Sequence, residues 1–241
     1  MPTKTGRISG WRLLVPALAG AGLLYLAHFP VAWGWLGWVA LVPLLILVRV
    51  EASWLRLLLA AWLGGLAFYW PAIQWMRVAD DRMYITWALL ATYCSLYMPL
   101  AIGLIRYLDR RTALPLIVSV PVVWTALDYL RSFLFTGFAW YYLGHTQHDF
   151  VPIIQIADLT GAYGVTFVVA MVNAWLFELL WSRSTLRAFF GGGPARCCCL
   201  GVQSLAVVLL LGGTLAYGQY RLAQNDFADG PRVALVQSSL D

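Results

Sequence analysis

Charge is what this sequence has least of. Only 11% of its 241 residues are Asp, Glu, Lys or Arg, against 61% apolar, and the mean hydropathy is +0.74. That scarcity excludes an ordinary soluble domain, whose buried helices carry a polar face. Lysine is nearly missing, with Lys4 alone, and glutamate occurs only at Glu51 and Glu178. The net charge of +5 is an arginine excess that sits between apolar runs. It reads as membrane anchoring, which excludes a nucleic-acid footprint. Repeats, low-complexity tracts and linkers of domain size are absent too, so the chain is not an array of modules. No cleavable signal peptide is evident: the first apolar run is long, Gly-rich and followed at once by another, and reads as an uncleaved anchor. Cysteine is scarce and poorly placed, with Cys197, Cys198 and Cys199 adjacent and Cys94 inside an apolar run. Adjacent cysteines lack zinc-ligand spacing; they fit small apolar packing residues, with lipid modification left open beside that.

What is present is a series of long apolar runs. A hydrocarbon core of roughly 30 Å asks about 20 apolar residues of a helix. Runs near Trp11–Ala27, Trp33–Val48, Trp54–Trp75, Tyr84–Tyr107, Ala113–Leu130, Gly161–Trp181 and Leu200–Tyr220 come close to that length. Trp11, Trp33, Trp54, Trp75, Trp181 and Tyr220 at their ends fit an aromatic belt at headgroup level. The first two runs are short and share only Phe29-Pro30 as a turn, so a re-entrant hairpin stays open beside two full spans. The fold expected is an all-α polytopic membrane protein of about seven transmembrane helices. With the N-terminus cytoplasmic, 11 cations fall inside (Lys4, Arg7, Arg12, Arg49, Arg56, Arg106, Arg110, Arg111, Arg183, Arg187, Arg196). Five fall outside: Arg77, Arg82, Arg131, Arg221 and Arg232. That asymmetry obeys the positive-inside rule and puts the C-terminus outside the cytoplasm. There, Arg232 to Gln237 reads as a short β-strand stub.

Polar residues concentrate between the fifth and sixth runs. Asp128 and Arg131 stand three apart on one helical face, where they can pair. They either close a helix end or mark a functional site, because charge at membrane depth is costly unless paired or facing a cavity. The segment Phe135-Thr136-Gly137-Phe138-Ala139-Trp140, then Gly144-His145-Thr146-Gln147, is too polar to span and too apolar to float. It is expected to lie on the outer surface, touching phospholipid or merely covering helix ends. His145, His148 and Asp149 lack further convergent ligands, so solvated loop residues are expected there and no metal site. Asp158 and Thr160 are helix N-cap types ahead of the sixth run, and Asn173 within it needs a partner on a neighbouring helix.

Together these residues resemble the apolipoprotein N-acyltransferase family of the bacterial inner membrane. The likeness runs from Phe29-Pro30 and Trp35 to Leu44, through Asp128 to Ser132, Thr136-Gly137-Phe138 with Trp140, and Gly144 with Gln147. It continues in Gln155 to Phe167 and ends at Arg232 to Gln237, similar to the first strand of the family's nitrilase-like domain. Asp128 stands where the family usually has Glu, and Ala139 where it usually has Pro. The resemblance implies a transmembrane domain over residues 1–224 and the start of a truncated nitrilase-like (carbon-nitrogen hydrolase) domain over 225–241. It implies multi-pass residence in the inner membrane and no cofactor. It also implies transfer of an acyl chain from phospholipid to the diacylglyceryl-cysteine at a lipoprotein N-terminus. In the family, a Glu–Lys–Cys arrangement does this by nucleophilic catalysis. Lys4, Glu51, Glu178 and the four cysteines cannot assemble that triad, so no catalytic residue is assigned and the chain alone is expected to be inactive. Contact with lipid or substrate is expected of Asp128, Arg131, Thr136, Gly137, Trp140, His145, Gln147, Asp158 and Tyr163. The expected partners are membrane phospholipid, a lipoprotein N-terminus, and a missing or separate nitrilase-like domain. Two other readings stay open: a membrane module recruiting a separately encoded soluble enzyme, or a small transporter. No charge is expected mid-span and no broken helix pair is seen, which weighs against the transporter.

Overall fold

The computed structural model describes residues 9–79, 81–193, 199–224 and 230–234, without the side chains of Ala79, Asp81 and Thr136. The chain is all-helical, and the described residues contain no sheet, only an isolated bridge between Val50 and Gly192. The helices in order are α1 (Trp11–Ala27), α2 (Leu41–Arg49), α3 (Trp54–Ala72), α4 (Met76–Ala79), α5 (Tyr84–Ser95) and α6 (Tyr97–Arg111). They continue with α7 (Leu116–Arg131), α8 (Val151–Ile154), α9 (Ala157–Thr160), α10 (Ala162–Trp181), α11 (Ser184–Phe190) and α12 (Leu200–Ala223). Helical structure thus occupies every apolar run of the sequence. Among the described residues, four stretches are long and apolar enough to cross a membrane: Trp54–Val78, Tyr84–Arg111, Ala162–Trp181 and Leu200–Ala223. Of the expected strand Arg232–Gln237, Arg232, Val233 and Ala234 carry no strand pairing. The remaining three positions lie outside the described residues.

Local sequence explains where helices break. Pro99, three residues into α6, lacks the N–H that would bond Ser95, and its ring crowds that carbonyl. The Tyr84–Tyr107 run accordingly interrupts at Leu96 between α5 and α6. The Trp33–Val48 run is not one helix either. It forms a 3-10 turn at Gly34–Trp38 and then the short α2. A side chain at Gly34 would place its Cβ 2.1 Å from the Thr146 carbonyl, so only glycine lets this turn press against the 140s segment.

α10 lies at the centre, packed most extensively against α7, while α3 packs against α1, α5 and α6. Asn173 of α10 is buried and ties this core to the first hairpin, as its position in an apolar run requires. Its Oδ1 accepts from the Leu41 N–H at 2.8 Å, and its Nδ2 donates to the carbonyls of Gly37 (2.8 Å) and Val169 (2.9 Å). Such bonds satisfy main-chain groups where water cannot. The connections gather at two ends. One holds residues 28–40, 73–79, 81–83 and 132–161, and the other holds 49–53, 112–115 and 182–193. Trp181 departs from the expected belt: it is fully buried, stacked on Phe177, and donates from Nε1 to the Gly193 carbonyl. α12 is the least embedded long helix, with only 17% of its apolar window buried inside the protein.

Candidate functional site

Arg131 closes α7 and organises the first end. It is 1% exposed. Its guanidinium donates to Asp128 Oδ1 (3.0 Å), to the Trp140 carbonyl (2.9 Å) and, at 3.5 Å, to the Tyr141 carbonyl. The rings of Tyr142, Tyr69, Tyr97 and Phe138 surround the same cation at 5.2 to 6.0 Å. A buried cation needs this full complement, because leaving water without it is prohibitive. The Arg131 carbonyl in turn accepts from the Phe138 N–H at 2.8 Å, so one residue folds the 132–142 loop back onto its own helix. Gly137 makes the return possible. Its φ is +83°, and a Cβ there would meet the Ser132 carbonyl at 2.1 Å.

The following stretch is locked to the first hairpin. Gln147 Nε2 donates to the Gly34 carbonyl (2.8 Å) and to Thr146 Oγ1 (2.7 Å), and Thr146 donates to the Leu143 carbonyl. His28 is buried with Nδ1 2.8 Å from the Leu24 carbonyl and Nε2 3.2 Å from that of Tyr142. Burial, above all, holds its pKa below the ordinary value, so the ring is neutral near pH 7. Tyr163 at the start of α10 donates to Ser132 Oγ at 3.0 Å and meets the rings of Tyr129 and Tyr142.

Between these walls lies a cleft of about 900 Å³. His28, Phe29 and Pro30 line one side, Trp75, Arg77 and Val78 another, and Trp140, Tyr141, His145 and His148 the third. Trp75 and Trp140 face each other with ring centroids 6.5 Å apart. Tyr141 braces this wall by accepting from Trp75 Nε1 at 3.1 Å while its hydroxyl donates to the Ala72 carbonyl. His145 is pushed down to a pKa of about 4, first by burial and then by His28, Arg131 and His148, so it too is neutral at pH 7. Among the described residues Arg77 is the single formal charge in the lining, and no carboxylate is there. An apolar, aromatic-walled space with one cation suits an amphiphile that carries an anionic group.

The residues expected from sequence thus divide. Trp140 and His145 line the cleft, whereas Asp128, Arg131, Gly137, Gln147 and Tyr163 form the framework that holds its wall. The side chain of Thr136 lies outside the described residues. Asp158 goes elsewhere. It is no N-cap for α10, whose N-cap is Gly161 with no side-chain cap. It sits on α9, separated from α10 by the positive φ of Gly161, and pairs with α12: Arg221 Nε at 2.7 Å and the Tyr217 hydroxyl at 2.8 Å. Thr160 caps nothing either, its hydroxyl donating to the Ile156 carbonyl. The Phe135–Gln147 segment, expected to lie on the outer surface, is more deeply set than that: Phe138, Tyr142, Leu143, Thr146 and Gln147 are buried while Phe135 and Trp140 stay exposed. His145 is likewise part of a wall and not a solvated loop residue. Sequence reasoning missed His28, Trp75, Arg77 and Tyr141 as lining. Phe29-Pro30 and the terminal Trp75 were the available signals.

A second charged cluster sits at the opposite end. Arg49 donates to Glu178 (2.6 and 2.8 Å) and to Asp109 (3.0 Å), all three at most 5% exposed. Beside it Arg106, also buried, donates to the carbonyls of Val48 (2.6 Å) and Val50 (2.9 Å) at the end of α2. These charges are inside the bundle because α2, α6 and α10 converge there and pair them. A cavity of about 390 Å³ adjoins the cluster.

Residues 20–175 match the family model described as the apolipoprotein N-acyltransferase N-terminal domain. The apolipoprotein N-acyltransferase of Geobacter metallireducens is 34% identical over 216 residues, covering 86% of this chain and 39% of that protein. That of Rhodopirellula baltica is 38% identical over 174 residues, covering 67% and 30%. That of Pasteurella multocida is 37% identical over 144 residues, covering 56% and 27%. The chain therefore spans two fifths or less of the length of these relatives.

Proposed function

Because this chain belongs to the apolipoprotein N-acyltransferase family, we propose that it is the membrane domain of such an enzyme and that the Trp75–Trp140 cleft receives the phospholipid acyl donor. The observation that carries this reading is the cleft itself: large, aromatic-walled, lined by the cation Arg77, and open beside exposed Phe29 and Trp140. On this reading residues 1–224 cross the inner membrane seven times, with the N-terminus cytoplasmic and the cleft on the outer side. Residues 225–241 begin a nitrilase-like domain. The alternation of connections between two ends supports it.

The acyl-transfer chemistry belongs, on this reading, to the nitrilase-like domain and not to these helices. In the family a Cys thiolate attacks the phospholipid ester carbonyl and expels the lysophospholipid alkoxide. The lipoprotein amine then displaces the thiolate from the thioester. Here Glu178 pairs with Arg49 at the end away from the cleft: α10 rises about 1.5 Å per residue, which puts Glu178 about 18 Å from Thr166. Cys94 is buried inside the bundle. What the chain contributes is a fixed wall and a desolvated approach for the ester-bearing lipid.

The test is acylation of a diacylglyceryl-cysteine peptide in phospholipid vesicles. The 241-residue chain is expected to give no product. A version extended by a relative's nitrilase-like domain is expected to be active, and Trp140→Ala in that version to lower kcat/KM at least several-fold with normal membrane insertion. Product from the chain alone, or an indifferent Trp140→Ala, overturns the reading.

A further inference from the structure

Arg77 stands apart from the other arginines at this end. Arg131 is enclosed by carbonyls, a carboxylate and rings, and Arg221 is paired with Asp158. Arg77 lines the cleft, and its hydrogen bond is to a neutral group: it donates to Gln74 Oε1 at 3.2 Å. Its guanidinium lies 4.6 Å over the Trp87 ring and 5.6 Å from that of Tyr84. Trp87 is itself fixed, donating from Nε1 to the Trp70 carbonyl at 3.1 Å. Arg77 Nε is buried and has no acceptor among the described residues. A planar fork pre-set in this way, with donors to spare, is matched to a tetrahedral oxyanion.

We propose that Arg77 is the anion anchor of the cleft, binding the phosphate of an amphiphile whose apolar part lies along Trp75 and Trp140. This rests on the cleft being the lipid site proposed above. Trp75 and Trp140 offer ring faces to chain and glycerol, and the neutral His28 and His145 add no competing charge. Among the described lining residues, the group matched to a phospholipid headgroup is the Arg77 cation, which reads the phosphate. Arg77 is a positioning residue: it sets how deep the headgroup sits, and so where the ester lies.

The experiment titrates dodecyl phosphate into the chain held in neutral maltoside micelles, followed by tryptophan fluorescence, with dodecyl glucoside as the uncharged control. Wild type is expected to give a saturable response to dodecyl phosphate. Arg77→Gln weakens it about tenfold or more, the scale of a lost charge-assisted contact, and Arg77→Lys restores much of it. The glucoside is expected to bind equally to all three. Equal dodecyl phosphate affinity in wild type and Arg77→Gln removes Arg77 as the anchor while leaving the cleft reading intact. Absence of a saturable response to either amphiphile removes the cleft reading and the anchor with it. Displacement of dodecyl phosphate by equimolar inorganic phosphate makes this a free-phosphate site and overturns the amphiphile assignment.

Discussion

Two buried arginines anchor the two ends of the bundle in different ways. Arg49 is held by two carboxylates from two other helices, Asp109 of α6 and Glu178 of α10. Arg131 has one carboxylate, from its own helix, and fills its remaining needs with main-chain carbonyls and aromatic faces. The first arrangement joins helix to helix. The second holds an irregular loop in shape, and that loop becomes the wall of a cleft. Charge spent on charge makes a clasp, whereas charge spent on backbone makes a surface.

Breaking the clasp is expected to have the largest effect on stability. Arg49→Met leaves two buried carboxylates without their cation, a loss of about 3–5 kcal/mol. Glu178→Gln leaves a one-to-one pair and costs less. Thermal unfolding in detergent ranks them, and a Glu178→Gln variant less stable than Arg49→Met contradicts the clasp. Neither should change the affinity of the folded fraction for dodecyl phosphate, which separates the two ends. Asn173→Ala strands the Leu41 N–H and the Gly37 carbonyl behind the cleft, for about 1–3 kcal/mol. A loss below about 0.5 kcal/mol would mean that those groups find other partners.

Acid sharpens the same contrast. His145 has a pKa of about 4 when folded against an ordinary 6.5, so the unfolded chain binds the extra proton first. Its contribution is complete above pH 6.5 and is lost as pH falls toward 4. His145→Gln should flatten the melting-temperature profile over that window; an unaltered slope assigns the acid sensitivity elsewhere. The smallest effect on stability is expected of Trp140→Ala, within about 0.5 kcal/mol because the ring is 56% exposed. A larger loss would make Trp140 framework and not cleft surface.

The helices were legible because hydrophobicity decides them: the first run, Trp11–Ala27, coincides with α1 residue for residue. Their interruptions were less so. The break in Trp33–Val48 depends on Gly34 meeting Thr146, a contact between residues more than a hundred positions apart that no local pattern encodes. The Asp128–Arg131 pair was legible from helical spacing, and the partner of Asn173 from the cost of an amide in an apolar run. The Arg49–Asp109–Glu178 clasp was not, since its members come from three helices with no shared spacing. Asp158 misled because its residue type suits a cap, but Gly161 breaks the chain between it and α10. The cleft wall was half visible. Trp140 and His145 lay in the conspicuous polar block, while His28, Trp75 and Arg77 reach it from the ends of apolar runs or just beyond them.

The most direct test is a crystal structure of the chain grown with a phospholipid brominated on its acyl chain, read by anomalous scattering. The account predicts bromine peaks in the cleft alongside Trp75 and Trp140 with the phosphate at Arg77. Bromine only on the outer helix faces, or in the cavity beside Arg49 with the cleft empty, would contradict it.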